Sequence, residues 1–350
     1  MPSAEDKTDL EVTSAAPVDA DVEILRSRGM RELGPDEMAR FRYVERVFLE
    51  VMTGRGYQEI RTPTIEPLHL FTAAGTLSPQ LLERVYSFLD WDGWSGERVV
   101  LRPEGTVPAA RWLLEQEAAV REAPARLCYV QPVYRFVSGE GDRERWQAGV
   151  ELFGHGAPDG DEELLRLAIE LLRALGLTPR VELAHAGIMR AAFAAAGLNT
   201  TQQLAVFDRV LDGDGGVTDE LAAAYPQAAP ALRLLLEVEG GSGAYLANLR
   251  AALLPVLSAA APALDELTSV AAVLDDVGVS YSVRPATARN VEYYTGVTFR
   301  MLTSDGECLA GGRYDGLAEA LGGRAVPASG FGADLLRLAE LSPAFAEVGR

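Results

Sequence analysis

The sequence predicts an α+β fold, in which an antiparallel sheet is flanked by helices and interrupted by a mostly helical insertion. Short segments rich in β-branched and aromatic residues cluster before residue 153 and return after residue 279. Most of the stretch between them, 185 to 277, is rich in Ala and Leu at helical spacing. Runs of strands separated from runs of helices are typical of α+β proteins.

The composition limits the classes of partner. The 350 residues, 48% of them hydrophobic, can bury a sizeable core in two or three domains. The sequence contains 32 Lys and Arg and 51 Asp and Glu, so its net charge is −19, which disfavours a nucleic-acid partner. No apolar run reaches the roughly 18 residues of a membrane helix. The only cysteines, Cys128 and Cys308, lack paired spacing, which predicts buried thiols, no metal site and a cytoplasmic location.

The chain is predicted to have four parts. Residues 1–20 are acidic and lack aromatic residues, which predicts a disordered tail. The core has a first part at 21–180 and a second part at 278–350. The mostly helical insertion occupies 181–277.

The elements of the core follow from local patterns. Apolar residues recur at helical spacing between Pro35 and Gly54, which predicts an amphipathic helix. The extended stretch 57–67 contains Pro63, which lacks a donor for the ladder and therefore favours a sheet edge. A second helix is predicted at 161–175. Further strands are predicted at 98–102, 126–137, 146–153, 279–284, 291–301 and 306–311.

The segment WQAGVELF, 146–153, alternates strictly between apolar and other residues. In a strand, this places Gln147, Gly149 and Glu151 on one face, with the amide and the carboxylate about 7 Å apart. A glycine between them lets a ligand approach the backbone, so the face is a candidate cradle for an amino acid. The alternative is a Gln and a Glu that face solvent.

Three further segments carry polar groups suited to the same ligand. Glu104 in LRPEGT begins a predicted helix, where its carboxylate can either cap the helix or bind a ligand ammonium. Arg289 in RNVEYYTG offers a planar donor fork that matches a carboxylate. The hydroxyls of Tyr293 and Tyr294 follow it, and strict alternation would put Arg289 and Tyr294 on opposite faces, so a bend is required. In AGGRYDGL, Tyr314 follows two glycines that permit close backbone approach.

The segments RNVEYYTGVTF (289–299) and AGGRYDGL (310–317) resemble the two histidine-specific signatures of histidyl-tRNA synthetases, which are class II aminoacyl-tRNA synthetases. The predicted helix and the Pro63 strand resemble motif 1, the family's dimerisation element. The resemblance implies a class II synthetase-like sheet and a histidine-binding pocket. It implies that the ammonium, imidazole and carboxylate of histidine contact Glu104, Thr106, Gln147, Glu151, Arg289, Tyr293, Tyr294 and Tyr314.

The chain departs from the synthetase pattern at the nucleotide site. Motif 2, 134–147, keeps Arg135 but has Val137 at the usual glutamate position. Motif 3 keeps Arg337, whereas Leu336 replaces a glutamate and Asp334 a glycine. Adenylation depends on a fully positioned nucleotide, so Arg135 and Arg337 are expected to be vestigial nucleotide contacts. The chain also ends where a synthetase would continue into an anticodon-binding domain, so none is expected.

The pattern therefore resembles the regulatory subunits of ATP phosphoribosyltransferase, a paralogous family. That resemblance implies a non-catalytic chain without cofactors, a short-form catalytic subunit as partner, and a role in the first step of L-histidine biosynthesis. It also implies histidine as a feedback effector and a homodimer within a hetero-oligomer. One alternative is a synthetase-like ligase that activates histidine with ATP, and another is a structural scaffold whose pocket binds nothing.

Overall fold

The structure is a computed structural model that describes most of the chain from residue 27 onwards. The predicted disordered tail, 1–20, and the predicted ligand residue Arg289 lie outside the described residues. The described ranges are 27–75, 84–91, 96–116, 124–137, 141–211, 217–226, 229–237, 239–285 and 293–345.

The described residues form helices and strands in the order that an α+β fold requires. The helices are α1 Pro35–Gly54, α2 Leu68–Ala73, α3 Thr106–Glu115, α4 Asp159–Ala174, α5 Ala186–Ala195, α6 Thr200–Leu211, α7 Val217–Ala224, α8 Ala229–Glu237, α9 Gly243–Leu253, α10 Ala261–Val277, α11 Leu317–Ala320 and α12 Leu335–Leu341. The strands are β1 Gln58–Glu59, β2 Ile65–Pro67, β3 Ser87–Trp91, β4 Gly96–Leu101, β5 Ala125–Tyr134, β6 Glu144–Phe153, β7 Arg180–His185, β8 Tyr281–Val283, β9 Val297–Thr303, β10 Gly306–Arg313 and β11 Ala328–Asp334.

The main sheet contains eight strands in the order β1-β5-β6-β11-β10-β9-β7-β8. The strands from β5 to β7 in this order pair antiparallel, as predicted, whereas β1 and β8 add parallel pairs at the two edges. A separate three-stranded sheet has the order β2-β4-β3. The helices α5 to α10 stand between β7 and β8 in sequence, which matches the predicted helical stretch.

Helix α1 confirms the prediction made from its apolar spacing. Pro35 occupies the first turn, where its missing N–H is not needed, and the Glu37 carboxylate accepts a hydrogen bond from the Gly34 N–H at 3.0 Å. The helix ends before Gly56, whose φ of 83° favours glycine. Its buried face consists of Phe41, Val44, Val47, Phe48 and Met52.

Two hydrophobic clusters cover the two faces of the main sheet. The alternating residues of β6 divide between them, with Val150 in the first cluster and Phe153 in the second. The first cluster packs the sheet against α1, α4, α10 and α12 through residues such as Phe48, Leu171, Leu274 and Leu338. The second packs it against α2, α3 and α11 through Phe71, Val107, Ala110, Leu113 and Leu317. Both faces of β6 are therefore covered by protein.

The prediction of a strand through Pro63 is wrong, because only the short β1 and β2 form on either side of it. The backbone carbonyls of Thr62 and Pro63 instead accept hydrogen bonds from the buried Arg102 guanidinium, at 2.7 and 3.0 Å. A side chain thus takes the place of a neighbouring strand here.

The strand predicted at 291–301 begins only at Val297 in the described part of the chain. The residues before it form an irregular turn, because the Thr295 N–H bonds to the Arg313 carbonyl at 2.6 Å and the Thr295 carbonyl accepts from Arg190 at 2.7 Å. These bonds replace a regular ladder. The bend predicted between Arg289 and Tyr294 falls mainly on residues outside the described ranges and stays a prediction.

Strands β3, β7 and β11 were not predicted. The predicted boundary at residue 181 falls inside β7, which pairs with β9 in the main sheet, and the helical stretch begins at Ala186. The division of the chain into domains stays a prediction.

The two cysteines are free and buried, as predicted, and burial raises the pKa of Cys128 to about 12 and that of Cys308 to about 11. Within the described residues, none of the helices has both the length and the apolar character needed to cross a membrane.

Candidate ligand-binding site

The centre of the candidate site is Glu151 on β6, which is only 1% exposed. The alternative of a solvent-facing glutamate is therefore wrong. Both oxygens of its carboxyl group are engaged by tyrosine hydroxyls: Tyr129 on β5 donates to Oε1 at 2.9 Å, and Tyr314, which follows β10, donates to Oε2. Tyr129 is fully buried and Tyr314 is 2% exposed, so the carboxyl group lies inside the protein.

Glu104, Thr106 and Gln147 lie beside this centre. The Glu104 carboxylate accepts hydrogen bonds from the N–H groups of Thr106, at 2.6 Å, and Val107, at 3.1 Å, so it caps α3 as the sequence suggested. The Gln147 side-chain oxygen accepts from the Gly105 N–H at 3.0 Å, which joins β6 to the start of α3. The Thr106 hydroxyl lies near Glu151, Tyr129 and Tyr293. The helix start and the strand thus bring the two carboxyl groups into one site.

Three tyrosines form a wall over the site. The Tyr293 and Tyr314 rings stack with centroids 4.9 Å apart, and the Tyr294 ring packs edge-on against Tyr293 at 5.1 Å. The Tyr293 hydroxyl is buried and lacks a hydrogen-bond partner among the described residues. An orphaned buried hydroxyl costs about 1–3 kcal/mol, so it is a ready donor or acceptor for a ligand.

Glycines make room for the tyrosines. A Cβ at Gly149 or Gly105 would overlap the Tyr129 ring, and a Cβ at Gly330 on β11 would overlap both Glu151 and the Tyr314 hydroxyl. Gly149 was predicted to let a ligand approach the backbone. In the structure, the group that approaches Gly149 is the Tyr129 ring.

The electrostatics of the site favour a cationic ligand group. Burial raises the pKa of Glu151 to about 8, against the opposing hydrogen bonds from Tyr314, Thr106 and Tyr129, and the neighbouring Glu104 raises it further. Burial also raises the pKa of Glu104, although the N–H groups of Val107 and Thr106 and the charge of Arg135 lower it. A positive group placed between two such carboxyl groups would stabilise their ionised forms.

The two predicted nucleotide contacts have different surroundings. The Arg135 Nε donates to the Pro103 carbonyl at 2.7 Å, and the guanidinium charge acts on Glu104, so this residue adjoins the site. Arg337 on α12 donates to the Asp305 carbonyl in the β9–β10 turn at 2.5 Å and lies 3.6 Å from the Glu340 carboxylate. Asp334 caps α12 through the N–H groups of Leu336 and Arg337. The contacts of the Arg337 side chain are therefore with its own helix, α12, and with the β9–β10 turn.

Sequence reasoning missed Tyr129. The predicted strand at 126–137 contained it, and period-two alternation puts it on the same face as Leu127, but nothing in the sequence indicated that this face meets Glu151. The cross-strand pairing of Tyr129 with Gly149 supplies that information.

No cluster of His, Cys, Asp and Glu among the described residues could hold a metal ion.

The chain is similar to known proteins over most of its length. The family model described as histidyl-tRNA synthetase matches residues 29–338. The ATP phosphoribosyltransferase regulatory subunit of Dehalococcoides mccartyi is 44% identical over 90% of this chain and 76% of its own length. The histidine–tRNA ligase of Archaeoglobus fulgidus is 32% identical over 91% of this chain and 76% of its own length.

A solved structure from Bacillus halodurans, described as an ATP phosphoribosyltransferase regulatory subunit/histidyl-tRNA synthetase, has a TM-score of 0.78 at 26% identity, covering 91% of this chain and 83% of its own. The higher identity to the regulatory subunit than to the ligase agrees with the altered motifs 2 and 3. The chain thus belongs to the histidyl-tRNA synthetase family and, within it, to the ATP phosphoribosyltransferase regulatory subunits.

Proposed function

We propose that this chain is the non-catalytic regulatory subunit of an ATP phosphoribosyltransferase and that its buried site binds L-histidine as a feedback effector. The observation that carries the proposal is the Glu151 carboxyl group, held by two tyrosine hydroxyls in a site that also contains Glu104. Catalysis then belongs to a separate short-form catalytic subunit. The naming of relatives as regulatory subunits supports this division of labour.

The residues of the site match the chemical groups of histidine. The ammonium needs carboxylate and amide oxygens, which Glu104, Glu151 and Gln147 offer, with the Thr106 hydroxyl beside them. The imidazole needs an aromatic wall with hydroxyl partners, which Tyr293, Tyr294 and Tyr314 offer. The ligand carboxylate needs a donor fork, and Arg289 remains our proposal for that role.

Feedback control requires histidine to bind one state of the complex more tightly than another. A coupling free energy of about 1–3 kcal/mol is typical of allosteric proteins and changes the affinity by roughly 5- to 150-fold. By reciprocity, binding of the catalytic subunit must change the histidine affinity of this chain by the same factor. We further propose that the chain works in the cytoplasm as a homodimer within a hetero-oligomer.

Calorimetry with L-histidine tests the site. At about pH 8.5, Glu151, with a pKa of about 8, is mostly ionised before histidine binds. There the Glu151→Gln variant removes one charge-assisted interaction, which is worth about 1.5–3 kcal/mol, so we expect an affinity loss of roughly 10- to 150-fold. Glu182→Gln is the matched control, because Glu182 is also a buried carboxylate of the main sheet, at 5% exposure, and lies on β7 among arginines. Equal affinities for the wild type and Glu151→Gln would refute the histidine site.

Co-purification tests the partner. The chain should retain a short-form phosphoribosyltransferase, and the activity of that complex should fall when histidine is added. Histidine-dependent exchange of pyrophosphate into ATP by the purified chain alone would overturn the non-catalytic assignment and favour the ligase alternative.

A further inference from the structure

A buried ion pair is formed by the residue that immediately precedes Tyr314. Arg313, the last residue of β10, is 2% exposed, and Asp161, in the first turn of α4, is 4% exposed. The guanidinium binds the Asp161 carboxylate with two parallel contacts, Nε to Oδ2 at 3.0 Å and Nη2 to Oδ1 at 2.9 Å. Its remaining donors reach Asp315 Oδ1 at 2.8 Å and the His155 carbonyl at 3.2 Å. Among the described residues, Arg102 and Arg313 are the largest side chains that are fully buried.

Stability alone is a weak explanation for such a pair. Desolvation of two charges offsets most of their attraction, and apolar residues of similar volume often serve a fold equally well. What the pair supplies is a fixed geometry, because the bidentate fork of an arginine allows one orientation relative to a carboxylate. The question is therefore which part of the molecule needs that geometry.

The Arg313 backbone holds the turn that carries two of the tyrosines. The Arg313 carbonyl accepts hydrogen bonds from the Thr295 N–H at 2.6 Å and from its hydroxyl at 3.3 Å, and that hydroxyl accepts from the Asp315 N–H at 2.9 Å. A Cβ at Gly296 would crowd the Arg313 side chain, so turn and side chain fit closely. Arg313 therefore fixes the turn at 293–296 against the end of β10.

The next residue along the chain is Tyr314. Because neighbouring residues of an extended chain point in opposite directions, the Arg313 side chain reaches α4 while the Tyr314 side chain reaches Glu151. The Tyr314 ring also stacks on Tyr293. One residue thus connects α4, the turn at 293–296 and the tyrosine that contacts Glu151.

We infer that Arg313 and Asp161 are positioning residues, which hold Tyr293 and Tyr314 in the arrangement that recognises the ligand. This inference rests on the proposed histidine site, and it adds residues that touch no part of the ligand themselves. Histidine affinity then depends on the ion pair through the orientation of the two tyrosines.

The test replaces the pair by apolar residues of similar size, Arg313→Met with Asp161→Leu, and labels the protein with 3-fluorotyrosine. The ¹⁹F resonances of Tyr293 and Tyr314 are assigned from their Tyr→Phe variants. We expect both resonances to shift or broaden and the histidine Kd to rise roughly tenfold or more as preorganisation is lost. The matched control is Arg300→Met with Glu182→Leu, a pair joined at 3.0 Å between β9 and β7, which should leave the tyrosine resonances and the Kd unchanged.

Unchanged Tyr293 and Tyr314 resonances in a folded Arg313→Met, Asp161→Leu protein would overturn the inference. If that variant does not fold, Arg313→Lys keeps the charge and removes the donor fork, and the same two readouts decide. Failure of the wild type to bind histidine would instead refute the proposed function, while the resonances would still report whether the pair orients the tyrosines.

Discussion

Histidine binding at pH 7 is expected to release close to one proton from Glu151. Burial raises the pKa of this carboxyl group to about 8 in the empty protein, so it is mostly protonated at neutral pH. A ligand ammonium or imidazolium beside it stabilises the ionised form, and the carboxyl group must then lose its proton. The same linkage makes the apparent histidine affinity increase as the pH rises towards 8.

The magnitude follows from the distance between pH and pKa. One unit below a pKa of about 8, roughly a tenth of the carboxyl groups are ionised, so binding that requires ionisation releases about 0.9 proton. The free energy of that deprotonation is about 1.4 kcal/mol at pH 7, which weakens the apparent affinity roughly tenfold relative to alkaline pH. At pH 6 the same reasoning gives a penalty of about 2.7 kcal/mol.

Calorimetry in buffers of different ionisation enthalpy measures the number of protons released. Glu104 also has a raised pKa and histidine itself titrates, so the informative quantity is the difference between the wild type and Glu151→Gln. We expect the variant to release about 0.9 proton fewer at pH 7. An identical proton count in both proteins would show that Glu151 does not ionise on binding, and the electrostatic reasoning would be wrong.

Three further predictions concern stability. The pKa of Glu151 rises from 4.5 to about 8 on folding, so the stability that its protonated form contributes below pH 4.5 is lost as the pH rises from 4.5 to 8. The Tm of the wild type should therefore fall relative to that of Glu151→Gln over this pH range. A difference in Tm that stays constant with pH would contradict this. The added methyl group of Gly149→Ala would overlap the Tyr129 ring, so this variant should lose about 1–3 kcal/mol of unfolding free energy in urea. Gly54→Ala, which has open space around the new methyl group, should be neutral or slightly stabilising. Equal effects of the two substitutions would refute the packing argument. His185→Ala removes the side-chain cap of α5 and should lower the stability measured by thermal melting by about 0.5–2 kcal/mol. His185→Asn should restore most of that stability. If it does not, capping is not the role of His185.

Much of the fold follows from local patterns because those patterns dominate their segments. The apolar spacing after Pro35 suits only a helix, and the alternation of 146–153 suits only a strand. Strand β11 escaped prediction because five of its six residues before Asp334 are small or glycine, and Gly and Ala are depleted in strands. The close approach of Glu151 and Tyr314 to Gly330 explains why a glycine stands there.

The candidate site could be predicted only in part. The family resemblance pointed to Glu104, Gln147, Glu151 and Tyr314, which the structure brings together. Tyr129 had no motif of its own, and its position depends on the register between β5 and β6, which separate strands do not encode locally. The role of Arg313 likewise depends on a contact with α4 across 152 positions of sequence.

The enclosure of Glu151 by Tyr129 and Tyr314 has a kinetic consequence. A solute can meet this carboxyl group only when the surrounding rings move aside, so the observed association rate should reach a plateau at high solute concentration, set by the opening frequency. Dissociation of the bound solute requires the same opening of the rings. The occupancy of the site would therefore follow the sustained concentration of the solute and not brief rises in it.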